Sequence, residues 1–300
     1  MFSGSLVAIV TPMCSDGAID FAAWERLLDL HLQGGTAGIV VGGSTGESPT
    51  VTESEQHELI RIARTRLAGR AALIAGLGGS STAQTVERLQ RLGTLPIDGL
   101  LIVTPAYNRP TQEGLFQHFS ALARAASAPI ILYNVPARTC VDLLPATVAR
   151  LAKLAGIVAV KEAQGTVERI REVVAAVPAS FAVLSGDDAT ARESVLAGAR
   201  GVISVTANVL PRAMVAMINA ALAGDAALAS RLDAPLAGLH RALSIEANPI
   251  PVKWLLAEMQ LISEGIRLPL TWLAEAHRQR VASAWREALA AQDHITAGAA

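Results

Sequence analysis

Residues 156–165 read GIVAVKEAQG. Gly156 to Val160 carry no charge and are rich in β-branched side chains, the composition of a buried strand. A strand that is apolar on both faces belongs to a parallel sheet covered by helices. At its end stands Lys161, where an ammonium is expensive to bury. The chain has only three lysines, at 153, 161 and 253; its other 22 basic residues are arginine.

The same strand pattern recurs along the chain. SLVAIVT (5–11), AGIVVGG (37–43), AALIAGL (71–77), GLLIVTP (99–105), PIILYN (129–134), GIVAVKE (156–162), FAVLSG (181–186) and GVISVT (201–206) all read as strands. Helical patterns separate them, near 21–34, 53–68, 82–93, 113–127, 144–154, 166–176 and 188–198. Eight βα units in about 220 residues fit an α/β fold of the (β/α)8 TIM-barrel type better than an open doubly wound sheet. After residue 207 only helices are expected, over 209–223, 225–244, 250–262 and 270–291, with breaks at Gly224-Asp225, Asn248-Pro249 and Pro269. The expected division is a barrel over 1–224 and a helical region over 225–300. No repeat of 20–50 residues is present beyond the βα alternation, and TAGAA (296–300) is a weak low-complexity tail.

Hydrophobic residues make up 51% of the chain and charged residues 17%, enough to bury a large core. A net charge of −1 gives no reason to expect nucleic acid or an anionic membrane as partner. Cys14 and Cys140 form no CxxC, so a reduced, cytoplasmic chain is the simplest reading. The N-terminus lacks a basic n-region, and no apolar run reaches the length of a membrane span. The six histidines are scattered without metal-ligand spacing, so no metal site is expected.

In barrels of this kind chemistry gathers at the C-terminal ends of the strands. Those ends carry GGSTGES (42–48), TPAYNRP (104–110), YNVPART (133–139), VKEA (160–163) and SGDD (185–188). The chain's only two tyrosines, Tyr107 and Tyr133, both fall there. A lysine amine in water, with a pKa near 10.4, is almost wholly protonated at neutral pH, and an apolar pocket lowers that pKa and frees it to attack a carbonyl. Spacing alone leaves open that Lys161 snorkels to solvent or pairs with Glu162. The tyrosines offer hydroxyls for proton relay, or are amphipathic aromatics on a cleft rim. GGSTGE offers two hydroxyls and closely spaced N–H groups for a carboxylate or phosphate, without the lysine of a P-loop, or is an ordinary βα turn. Arg138 is placed to fork onto a substrate carboxylate or to form a structural ion pair. Asp187 and Asp188 read as N-caps of the next helix, with a carboxylate metal site as the lesser alternative. GLGGSS (76–81) reads as a loop.

In order and spacing, GGSTGE, TPAYNRPTQEG, YNVPART and VKEA resemble the dihydrodipicolinate synthase family of Schiff-base (class I) aldolases, and TPMCSDGAID (11–20) resembles that family's first loop. The arginine of YNVPART points within the pyruvate-lysine aldolases to this family rather than to N-acetylneuraminate lyase. The resemblance implies a carbon–carbon lyase/synthase that condenses pyruvate with L-aspartate 4-semialdehyde in lysine and diaminopimelate biosynthesis. It implies that Lys161 forms the imine with pyruvate and Tyr133 shuttles protons. Ser44 and Tyr107 would extend the relay, with Tyr107 inserted from a neighbouring subunit of a homotetramer, a dimer of dimers. Thr45 would hold the pyruvate carboxylate, Gly186 and Ile203 would line the pocket, and Arg138 would bind the aldehyde's carboxylate. No metal or organic cofactor is implied.

Two features depart from the family pattern. Ser44 stands where threonine is usual; the hydroxyl survives with a freer rotamer. Ala106, Ser80 and Gln84 stand where lysine-inhibited members carry an aromatic, an asparagine and a glutamate, which implies weak or absent feedback inhibition by lysine. The alternatives are a related pyruvate aldolase with another aldehyde, of sugar-acid or hydroxy-oxoglutarate type, and a non-catalytic keto-acid-binding barrel. Arg138 separates the first alternative from the leading reading. The retained lysine, tyrosines and hydroxyls argue against the second.

Overall fold

Eight short apolar segments satisfy their backbone groups by pairing side by side, all parallel, until the last meets the first. In the computed structural model, which describes residues 2–297, these strands are β1 (Gly4–Ala8), β2 (Gly38–Val41), β3 (Ala72–Leu77), β4 (Gly99–Val103), β5 (Ile130–Asn134), β6 (Ile157–Glu162), β7 (Ala182–Ser185) and β8 (Gly201–Ser204). They run in sequence order around a closed barrel, with β1 paired to both β2 and β8. The strands end earlier than the apolar runs suggest. Pro12 and Pro105 cannot donate to a ladder and Gly42 turns with φ 69°, so Ile9 and Val10 stay buried past the end of β1, with Ile9 N donating to Val40 O at 3.3 Å and Val10 N to Asn208 Oδ1 at 3.0 Å.

Alternation along each strand divides the side chains between two cores. Leu6, Ala8, Val40, Ile74, Leu101, Ile131, Ala159, Leu184 and Ile203 fill the barrel interior, while Val7, Ile39, Leu73, Leu100, Ile130, Leu132, Val160 and Val202 pack outward under the helices. The β5–β6 register shifts between Ile130 and Ile131, which pair with Ile157 and Ala159 and leave Val158 as an extra residue.

The barrel's helices are α1 (Phe21–Gly34), α2 (Glu53–Leu67), α3 (Thr82–Leu92), α4 (Gln112–Ala125), α5 (Pro136–Thr139), α6 (Pro145–Leu151), α7 (Val167–Ala176), α8 (Ala191–Leu196) and α9 (Pro211–Leu222). Thr52 and Glu55 close a capping box on α2. The single-turn α5 was not expected: the YNVPART stretch turns on Pro136 at the first helical positions. Asp187 accepts from Thr190 N and Oγ1 just ahead of α8, but the cap position is Thr190 itself, so the expected capping by Asp187 is not seen. Asp188 does not cap α8; it accepts from Val205 N and Thr206 N at 2.9 and 2.8 Å, tying the end of β8 to that of β7.

Beyond α9 lie α10 (Ala226–Asp233), α11 (Ala237–Ala242), α12 (Ile250–Glu258) and α13 (Glu275–Ala297). The single helix expected over 225–244 is divided by a 3-10 turn at Ala234–Leu236, where Pro235 removes a backbone donor. The end of the tail, 298–300, lies outside the described residues. Among the described residues no helix is long and apolar enough to cross a membrane.

The segment after α12 is stitched to the barrel's upper face by Arg267. Its guanidinium donates to Gly17 O and Thr50 O and forks onto Glu55 at 2.9 and 2.5 Å. These hydrogen bonds pull the Glu55 pKa from 4.5 down to about 2. A carboxylate held below its unfolded value contributes stability that is present above about pH 4.5 and is lost as pH falls through about 2. Glu55→Gln preserves the capping box. It is expected to cost on the order of 1–2 kcal/mol at pH 7, a deficit that vanishes between pH 4.5 and 2 in urea unfolding curves. A pH-independent deficit would refute this.

Candidate active site

Tyr133 and Lys161 are register partners at the C-terminal ends of β5 and β6. Each sits two residues beyond an inward-facing residue, Ile131 and Ala159, so both side chains enter the barrel mouth. Lys161 is only 5% exposed, and its Nζ lies 4.3 Å from the centroid of the Tyr133 ring. Glu162, the other candidate partner for this amine, faces the opposite way. It accepts from Asn134 Nδ2 at 3.0 and 3.1 Å and from Gln164 N at 2.8 Å, and lies 3.7 Å from Arg169. Burial pushes the Glu162 carboxyl upward, against these donors.

Gly186, just past β7, is required to be glycine. A Cβ there would stand 2.6 Å from Ala163 Cβ and 3.0 Å from Lys161 Cε. Ile203 of β8 belongs to the same interior cluster as Tyr133.

The turn after β2 carries Ser44 and Thr45. The N–H groups of Gly46, Glu47 and Ser48 close the turn on Gly43 O and Ser44 O. Among the described residues those of Ser44 and Thr45 have no backbone partner, which leaves two adjacent donors for an anion. Thr45 Oγ1 is 2.9 Å from Asn248 Nδ2, and the Asn248 carbonyl accepts from Arg138 Nη2 at 3.0 Å. Two clefts share Ser44, Ser48, Pro49 and Val103 as walls. One, of about 390 Å3, reaches Tyr133; the other, of about 330 Å3, reaches Arg138 and Asn248. Lys161, Tyr133, Ser44, Thr45, Arg138, Gly186 and Ile203 thus converge on one end of the barrel.

Tyr107 is the exception. It is 93% exposed, with a left-handed backbone (φ 73°), on the loop after β4. Ser80 Oγ donates to Ala106 O and Asn108 Nδ2 to Ser80 O, both at 2.8 Å, so the loop is braced while its phenol points away from the protein.

Several polar residues support the site without any local signal in the sequence. Asn134 bridges Glu162 and Asp142, and Arg169 grips Asp142 with two bonds of 2.8 Å, fixing β5 against β6 from outside the barrel. Glu47, within GGSTGE, forms a buried ion pair with Lys253 of α12. Only the scarcity of lysine could have drawn attention to position 253.

The model of the dihydrodipicolinate synthetase family matches residues 1–288. The chain is 52% identical over 288 residues to the 4-hydroxy-tetrahydrodipicolinate synthase of Methylococcus capsulatus, covering 96% of this chain and 99% of that protein. To the enzyme of the same name from Pseudomonas syringae it is 51% identical over 287 residues, covering 96% and 98%. Its fold matches the crystal structure of the chloride-inhibited dihydrodipicolinate synthase of Acinetobacter baumannii in complex with pyruvate, with a TM-score of 0.94 at 46% identity, covering 96% and 99%.

Proposed function

The chain belongs to the dihydrodipicolinate synthetase family, and from that premise we propose how its own residues carry the reaction. The reaction is the condensation of pyruvate with L-aspartate 4-semialdehyde to 4-hydroxy-tetrahydrodipicolinate, a step toward diaminopimelate and lysine. The observation that carries the assignment of roles is the nearly buried Lys161 amine over the Tyr133 ring.

Lys161 Nζ attacks the ketone carbon of pyruvate, the ketone oxygen leaves as water, and an imine remains. The protonated imine withdraws electrons from the adjacent methyl carbon. Loss of a methyl proton then gives an enamine, whose carbon adds to the aldehyde carbon while the aldehyde oxygen gains a proton. The amine of the semialdehyde adds to the imine carbon and displaces Lys161, which closes the ring. One water is released overall. The Tyr133 hydroxyl, a donor and an acceptor, carries the protons. Thr45, with the free N–H groups beside it, holds the pyruvate carboxylate, and Arg138 takes the carboxylate of the semialdehyde. Gly186 and Ile203 shape the pocket around the imine.

Ser44 extends the relay toward solvent, and Tyr107 completes it from a neighbouring subunit of a homotetramer. The exposed, braced Tyr107 supports that part of the reading, because its phenol makes no hydrogen bond among the described residues. The catalytic unit is the barrel, 1–224, with the helical region 225–300 attached, and the enzyme acts in the cytoplasm.

Ala106, Ser80 and Gln84 give a lysine effector neither an aromatic wall nor a carboxylate. Calorimetric titration with lysine is expected to show no binding at millimolar or lower concentration, and tight binding would refute the expectation. The reaction itself is tested by incubating the enzyme with pyruvate, reducing with borohydride and locating the mass increment. An adduct on Lys161 supports the reading, and an unmodified Lys161 refutes it.

A further inference from the structure

We propose that the Glu47–Lys253 ion pair is a positioning device for pyruvate: from the C-terminal region it holds the main chain on which Ser44 and Thr45 are mounted. The proposal rests on the reading that Thr45 and its N–H neighbours receive the pyruvate carboxylate.

Glu47 lies two residues from Thr45 and is 1% exposed. Its backbone is left-handed (φ 56°), a conformation that a non-glycine residue keeps only when its surroundings impose it. The C-terminal region supplies the partners of both carboxylate oxygens. Lys253 Nζ donates to Oε1, and Arg267 N donates to Oε2 at 3.1 Å. The Glu47 carbonyl in turn accepts from Thr50 N and Val51 N at 2.9 and 3.2 Å, and the turn ahead of it closes through Glu47 N to Ser44 O at 3.2 Å. The side chain thus anchors the middle of the turn between β2 and α2, close to Thr45.

Lys253 is wholly buried on α12, where every residue from Ile250 to Leu256 is buried. Desolvation lowers its pKa, against the pull of Glu47. Burying two charges is costly, and a well-packed apolar pair of similar volume commonly stabilises a fold as well or better. What the ionic pair adds is a fixed direction and length between α12 and the turn. Asn248, just ahead of α12, grips the same turn through Thr45 Oγ1 at 2.9 Å. The turn is therefore held at three points, Thr45, Glu47 and, through the Arg267 guanidinium, Thr50, by a region that supplies no reacting group.

The double variant Glu47→Gln/Lys253→Met removes both charges together, so neither is left buried alone. The measured quantity is the pyruvate concentration that half-saturates borohydride trapping on Lys161, which needs no aldehyde. It is expected to rise about tenfold, while trapping at saturating pyruvate stays within about threefold and the aldehyde KM within about twofold. A merely structural role would lower the amount of active enzyme and leave half-saturation where it was. A folded double variant that half-saturates within twofold of wild type overturns the proposal. Glu47→Asp keeps the charge and withdraws it by one methylene; a shift of the same sign is expected. That variant decides alone should the double variant not fold, and an unchanged half-saturation in it overturns the proposal equally. Trapping in the wild type tests the underlying reading. No adduct there sinks the pyruvate assignment, whereas an adduct with unchanged half-saturation in the variants sinks only the positioning role.

Discussion

Lys161→Ala is expected to lower kcat/KM for pyruvate by on the order of 10⁴-fold or more, about 5.5 kcal/mol of transition-state stabilisation, and to abolish the borohydride adduct. The size of the effect follows from covalency. Without the imine no electron sink exists beside the methyl carbon, and neither the tyrosine nor the hydroxyls can replace one. The fold should survive, because the substitution removes an almost buried amine that forms no ion pair among the described residues. Lys161→Arg sharpens the test. A guanidinium keeps the positive charge but stays protonated and forms no imine. It should be as inactive as alanine, so a partly active arginine variant would mean that charge, not nucleophilicity, is what the position supplies.

Tyr133→Phe is expected to lower kcat by about 10²- to 10⁴-fold, the usual range for loss of a positioned proton-transfer group. The ring stays in place beneath the amine, so the contact at 4.3 Å is retained and only the hydroxyl is lost. The trapped adduct should still form, at a reduced rate, because Lys161 can still attack the ketone while its proton transfers fall to water in place of the lost hydroxyl. Stopped-flow trapping alongside steady-state assays separates the two steps. A kcat within threefold of wild type would remove Tyr133 from the proton path.

Much of the architecture can be read from the chain because its signals are local. Strands buried on both faces must be uninterruptedly apolar, and the residues that end them mark the mouth of the barrel. Period-two alternation places Lys161 inward from Ala159 and Tyr133 inward from Ile131 without reference to any other element. What escapes a local reading is whatever depends on partners far along the chain. Lys253 meets Glu47 across 206 positions, and Arg267 meets Glu55 across 212. Asp188 looks like a helix cap in isolation, yet its acceptor serves backbone donors 17 and 18 residues away. The interruption of the helix over 225–244 did have a signal, Pro235, which is weak against a long apolar periodicity. The orientation of Tyr107 is legible only as exposure once the loop is built.

The ring of eight paired strands also bears on how such a protein can change over generations. A closed ring has no margin along which one member can slide, so the inward or outward sense of each position is inherited from its neighbours. Substitutions around the amine can accumulate singly. Losing the one residue between Ala159 and Lys161 would turn the amine out beneath the helices and seat the carboxylate of Glu162 in its place. Divergence in this lineage is therefore free to rewrite letters between Ala159 and Lys161 but not to remove one, whereas the extra residue at Val158 is absorbed ahead of them.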